Sequence, residues 1–202
     1  MKIKEISVFN DGYVNCRSAF YSAYDTISKE RVYTFRTGVN QLVGEIDSGI
    51  WAVSYLLSMY CHRPKDFVLF EQANAQVNGH PVSFKELLSF SCYMDKSYPL
   101  FSSKRSVRKL VDGGIAATKG DCSANDIKDL FCLNSQRFER PLTEVGNEVF
   151  RAMAAIAYSY GKQVFCFPWM SQKRFEYYHK NLSGLLEILD HLEVIAIVPV
   201  GK

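Results

Sequence analysis

The residues best spaced for chemistry run from Gly44 to Trp51. Gly44 and Gly49 have the spacing of G-x-x-x-x-G-K-[ST]. In that loop backbone N–H groups cradle phosphates, a lysine reaches the outer phosphates and a hydroxyl holds Mg²⁺. The apolar Gln41-Leu42-Val43 precedes the loop and an amphipathic segment from Trp51 to Tyr60 follows it, the strand-then-helix context such a loop requires. The chemistry, however, is missing. Ser48 and Gly49 remain, but Ile50 occupies the lysine position and Trp51 the hydroxyl position. Asp47, inside the loop, would repel an anion held by backbone N–H groups.

No other constellation competes with it. Six cysteines are scattered without a C-x-x-C pair, and several lie in apolar runs, such as Cys166 in Val164-Phe165-Cys166-Phe167. They read as buried, reduced thiols rather than a disulfide framework. His62, His80, His179 and His191 lack metal-ligand spacing, so no metal site is expected. Asp121-Cys122-Ser123 with a distant histidine does not make a triad, since nothing places the groups together.

The chain has 202 residues, 48% of them hydrophobic and 22% charged, and a net charge of +3. That is enough to bury one full core. The charge is too small and too dispersed to argue for nucleic acid. The N-terminus lacks the apolar stretch of a secretion signal. No apolar run approaches the ~20 residues of a membrane span, so any membrane association is expected to go through a partner.

The elements that must position the loop follow from periodicity. Residues 2–9 and 30–35 alternate as strands, with a turn at Asp11-Gly12. Asn78-Gly79 marks a hairpin turn within Val77–Val82. Ser83 and Glu86 have the spacing of a capping box for a short helix from Phe84 to Leu88. Ser91 to Met94 reads as a short strand. Residues 103–140 read as mainly helical, with Ser123 or Asn125 as a cap. Residues 144–160 carry a wide apolar stripe (Val149, Phe150, Met153, Ile156, Ala157) that ends at Gly161. Gln163 to Phe167 is a fully apolar strand, Leu182 to Leu192 a helix, and Glu193 to Val200 a last buried strand. Alternating strands and helices predict an α/β fold with a parallel core, an N-terminal antiparallel portion and a small helical subdomain near 84–140, all one domain over 1–202.

This order, with several local strings, resembles the ATP-binding domain of ABC transporters, a P-loop NTPase fold. Thr37 to Glu45 resembles the strand entering that family's Walker A loop. Tyr93-Met94-Asp95-Lys96 followed by Pro99-Leu100-Phe101 resembles the Q-loop and its continuation. Leu142-Thr143-Glu144-Val145-Gly146 resembles the signature motif. Val164 to Trp169 resembles Walker B, and Ile195 to Val200 resembles the last core strand entering the H-loop.

The resemblance also identifies what is lost. Lys96 stands at the Q-loop glutamine, and Glu144 and Val145 stand in the signature's glycine turn. Pro168 replaces the Walker B aspartate, Trp169 the catalytic glutamate and Val200 the H-loop histidine. Phosphoryl transfer depends on positioning and on charge stabilisation by Mg²⁺, lysine and a water-orienting residue. With all of these replaced, no ATPase activity and no bound cofactor are expected. Trp51 and Trp169 are expected to fill the vacated pocket.

The resemblance implies partners: an active ATPase subunit, or a second copy as a head-to-tail dimer, and a polytopic membrane permease. The permease would be received in a groove lined by residues 96–110, with the chain held peripherally on the cytoplasmic face. Two other readings stand beside this one. The chain could be a soluble regulatory protein that kept the fold, or an enzyme using nucleotide in another way.

Overall fold

A computed structural model describes residues 2–10, 15–16, 31–45, 50–59, 62, 65, 67–68 and 74–202. The turn expected at Asp11-Gly12 and the loop interior with Ser48 and Gly49 lie outside the described residues.

Two four-stranded sheets organise the chain. The antiparallel sheet has the order β3–β1–β6–β7, from β1 (Glu5–Asn10), β3 (Arg31–Arg36), β6 (Asn74–Val77) and β7 (His80–Val82). Its register sets Ile6 against both Phe35 and Val77, and Val8 against Tyr33 and Ala75. One face therefore carries the buried stripe Ile6, Val8, Phe35, Ala75 and Val77, as period-2 alternation demands. The β6–β7 turn has φ +50 at Asn78 and +78 at Gly79, the backbone that an Asn-Gly pair enters most readily. Asn78 also ties down the N-terminus, accepting from Lys4 N at 2.8 Å and donating to Lys2 O at 3.0 Å. Two short strands, β2 (Asn15–Cys16) and β5 (Phe67–Val68), pair with each other.

The second sheet is parallel, with the order β4–β10–β9–β8: β4 (Gly38–Val43), β10 (Ile195–Val200), β9 (Val164–Cys166) and β8 (Ser91–Tyr93). Every residue of β10 and β9 is buried, which is why both read as continuous apolar runs. The sharp bend from β3 into β4 passes through Gly38 at φ +96. Asn40 pins it, its Nδ2 donating to Arg36 O at 2.7 Å while its Oδ1 accepts from Arg36 N at 3.1 Å.

Helix α1 (Ile50–Met59) lies against β8, β9 and β10 and is buried along its whole length. Ser54 and Ser58 are tolerated there because their hydroxyls donate to carbonyls, Ser54 to Phe167 O at 2.6 Å and Ser58 to Ser54 O at 2.8 Å. Helix α7 (Gln172–His191) packs against β10 and β4.

The helical part comprises α3 (Val107–Thr118) and α4 (Ala124–Leu130), packed on α6 (Val149–Ser159), and α5 (Ser135–Phe138), packed on α3. α3 and α6 approach closely at Gly114, where a Cβ would lie 2.1 Å from Ser159 Oγ. Ser83 and Glu86 form the expected capping box on α2 (Phe84–Leu87), and Ser123 with Asp126 forms another on α4.

Three boundaries differ from the sequence expectations. The 84–140 segment contributes β8 to the parallel sheet and is mainly helical only from α3 on. The helix expected from 144 starts at Val149, because residues 142–144 and 146–148 form 3₁₀ turns around Gly146 at φ +61. α7 begins at Gln172 rather than Leu182. Its first turns are polar and mostly exposed, so no apolar stripe announces them; the start is fixed by Ser171, whose Oγ accepts from Arg174 N at 3.3 Å.

Candidate functional site

Of the positions singled out in the sequence, Gly44, Ile50, Trp51, Pro168, Trp169 and Val200 gather at the C-terminal end of the parallel sheet. In open α/β sheets ligands bind beyond the carboxyl ends of the strands. Here β4 ends at Val43, just before Gly44, β10 ends at Val200, β9 leads into Phe167-Pro168-Trp169, and α1 begins at Ile50.

The main chain stitches these ends together. Gly44 N donates to Val200 O at 2.9 Å. β10 and β9 are in regular parallel register as far as Ile197 opposite Cys166, and Phe167 N donates to Ile197 O at 2.9 Å. A regular ladder would take its next bond from Trp169 N to Pro199 O. Instead Met170 N makes that bond, at 3.1 Å, and Met170 is bridged to Val200. One extra residue has therefore entered the strand extension, a β-bulge at Pro168-Trp169.

Pro199 contributes to this break. Odd-numbered residues of β10 aim their N–H groups at the β9 side, as Ile195 N does towards Gln163 O at 2.9 Å, and Pro199 has no N–H to give. The Phe167 carbonyl opposite it takes its hydrogen bond from Ser54 on α1.

The bulge re-aims Trp169. Its Nε1 donates to Gly44 O at 3.1 Å, across the end of β10. Its ring lies on Gly201, where a Cβ would stand 3.0 Å from Trp169 Cζ2 and 3.2 Å from Ser171 Cα. Ile50, Trp51 and Val200 are all buried. From Trp51 an aromatic row continues along α1 to β8: Trp51 to Tyr55 with centroids 6.2 Å apart, then Tyr55 edge-on to Tyr93 at 5.3 Å. Phe150 meets Phe167 at 5.9 Å. Among the described residues, the side chains packed at this end are apolar or aromatic, with the indole N–H groups of Trp51 and Trp169, while the charged Glu45 and Lys96 stand exposed after β4 and β8.

The Leu142–Gly146 segment is not among these residues, and Lys96, though it follows the C-terminal end of β8, is exposed. Lys96 is exposed on the turn after β8, where Asp95 Oδ1 accepts from Ser97 N at 2.8 Å. Leu142 to Gly146 lies in the helical part. Leu142 and Val145 are buried, Thr143 and Glu144 exposed, and Gly146 sits beside the Arg137 guanidinium. The acid at the start of α6 is Glu148, paired with Arg137 at 3.0 Å and accepting from Asn134 N at 3.0 Å.

Residues scattered in sequence make a second polar feature that no local pattern signals. A cavity of about 270 Å³ is lined by His62, Leu88, Tyr98, Pro99, Leu100, Tyr160 and Lys162. Lys162 Nζ donates to the carbonyls of Leu88 and Ser89, and burial holds its ammonium below its ordinary range. His62 stacks edge-on to Tyr98 at 5.1 Å; burial, then the Lys162 charge, lowers its pKa. Nearby, Cys92 and Cys166 are buried free thiols on adjacent strands, and burial raises both, Cys166 to about 12. Cys122 and Cys132 are free and exposed.

No protein-family model and no curated protein sequence matches the chain. Solved structures do. One is a putative ABC transporter ATP-binding protein from Pyrococcus furiosus, 15% identical, with a TM-score of 0.63, 98% of this chain covered and 92% of that one. Another is cbiO1 from Clostridium perfringens, described as part of the ABC transporter complex cbiONQ. It is 10% identical with a TM-score of 0.63, covering 100% of this chain and 80% of that one. At these identities the likeness is one of fold: the chain has the fold of ABC transporter ATP-binding proteins.

Proposed function

We propose that this chain is a degenerate ABC-type ATP-binding subunit that does not hydrolyse ATP and serves as a structural or regulatory partner in a transport complex. The observation that carries the reading is the packed end of the parallel sheet. Ile50, Trp51, Pro168, Trp169 and Val200 stand where the resemblance places the lysine, hydroxyl, two acids and histidine. Trp169 is hydrogen-bonded to Gly44, the first glycine of the loop.

These residues do not fit a magnesium triphosphate. Each charge-assisted bond to phosphate is worth roughly 1.5–3 kcal/mol, and the apolar groups here supply none. A large indole packed on Gly44 and Gly201 also fills space at the strand ends. No catalytic step is assigned to the chain.

As partners we assign an active ATPase subunit, or a second copy, and a polytopic membrane permease. Among the described residues no helix is long and apolar enough to cross a membrane, so the chain would be held at the cytoplasmic face by the permease. Pro99 and Leu100, within the segment expected to face that partner, border the cavity with His62 and Lys162.

The test is titration of the purified chain with Mg-ATP, read by thermal unfolding and phosphate release. Nucleotide at about a thousand times its dissociation constant stabilises a binding protein by about 4 kcal/mol. No shift in Tm and no phosphate release are expected. Saturable micromolar binding, or turnover abolished by Lys96→Ala or Glu45→Ala, overturns the reading. Recovery of the chain with a polytopic membrane protein from mild detergent supports the partner assignment; a soluble monomer under those conditions opposes it.

A further inference from the structure

Among the described strands β4 has a single neighbour. β4 bonds to β10 on one side, and among the described residues no strand pairs with the other. Gly38 N donates to Val194 O and Gly44 N to Val200 O, so the even-numbered residues turn their N–H and C=O groups towards β10. In a strand that alternation repeats every second residue, so Val39, Gln41 and Val43 point theirs outward.

These three residues are the exposed ones. Val39 is 38% and Val43 59% exposed, among the largest apolar exposures of the molecule. Gly38-Val39-Asn40-Gln41-Leu42-Val43 contains no charge and no proline, the devices by which strand edges are ordinarily blunted.

The geometry points to a second copy of this chain as the occupant, added antiparallel along β4. The edge is self-complementary about Gln41. A two-fold axis there sets Val39 against the partner's Val43, Gln41 against the partner's Gln41, and Val43 against the partner's Val39. Each pair exchanges both of its N–H···O bonds and closes an isologous interface.

Charge on α7 supports the same orientation. Asp190 lies at Gly38, where a Cβ would stand 2.6 Å from its Oδ1, and Glu187 and Asp190 line a cavity with Val39 and Gln41. The acidic end of α7 thus lies at the start of β4. Its first turn, with Lys173 and Arg174, lies near the end of the sheet, since Gly201 packs on Ser171 and Gln172. Antiparallel pairing brings the basic start of each α7 towards the acidic end of the other. The pairing does not depend on the nucleotide-site reading, because it uses the side of the sheet rather than its end.

Sedimentation velocity of the full chain across a dilution series tests it. A reversible dimer is expected for the wild type. Val43→Lys is expected to weaken it by about tenfold or more, since the change counts twice in a two-fold interface. Val43 is exposed, so circular dichroism should show an unchanged fold. Gln41→Cys should give a dimer trapped by a short bis-maleimide in higher yield than wild type treated alike. A monomeric wild type, or a dimer indifferent to Val43→Lys, overturns the proposal.

Discussion

Trp169 shows how one residue closes the end of a sheet by packing. The side chain supplies an N–H for Gly44 O and a ring surface for Gly201. Trp169→Phe removes mainly the hydrogen bond and is expected to cost about 1 kcal/mol in urea unfolding. Trp169→Ala also leaves a void and should cost about 3 kcal/mol, the low end for a large aromatic because the ring is only half-buried. Equal costs for the two variants would mean that the ring is not packed as described. The sequence made this position conspicuous, since a tryptophan beside a fully apolar strand is a large residue needing a partner for its N–H. It could not name Gly44 as that partner, because the contact spans the chain and depends on a bulge.

At the scale of elements, the join between α1 and the sheet depends on Pro199. With no N–H there, the Phe167 carbonyl relies on Ser54, whose hydroxyl donates to it at 2.6 Å. Ser54→Ala leaves that buried acceptor without its donor and should cost about 1–3 kcal/mol. Pro199→Ala supplies an N–H in the same place, so Ser54→Ala should cost less in that background. A double-mutant cycle on denaturant midpoints measures the coupling; strict additivity would show that the two donors do not share the carbonyl. Local elements were legible where local chemistry decides them. Asn78-Gly79 gave its hairpin, and the spacings Ser83 to Glu86 and Ser123 to Asp126 gave their capping boxes. The start of α7 was not legible, because residues 172–177 bury little and follow no apolar period. The late start of α6 was hidden too, since Pro141 and Gly146 break the chain into 3₁₀ turns beneath a continuous apolar stripe.

For the molecule as a whole, the core sets the response to alkali. Cys92, Cys166 and Tyr98 are acids raised chiefly by burial. An unfolded thiol ionises near 9.0, whereas Cys166 in the fold keeps its proton to about 12. Between those values the native state holds a proton that the unfolded state has released. Stability is therefore full below pH 9 and falls as pH rises through the window, by about 1 kcal/mol per pH unit for each such group. Lys162 acts in the opposite direction, because its lowered pKa makes the unfolded state the better proton binder below 10.5. Comparing wild type with Cys166→Ala separates the two: the variant should lose less stability between neutral and alkaline pH, read as urea midpoints. Identical pH slopes would show that Cys166 is not the group held neutral.

The slip of one residue after Phe167 also governs how the chain can change. The main chain from Pro168 to Met170 is bonded to β10 out of step with the strand before it. An acid introduced at 168 or 169 would be carried on that displaced backbone, and one at 169 would remove the bond to Gly44. Single substitutions that add a charge there thus lose packing without changing the strand alignment. The bulge acts as a ratchet: under the function proposed above, gaining hydrolysis would require a deletion in the main chain before any side chain could be useful.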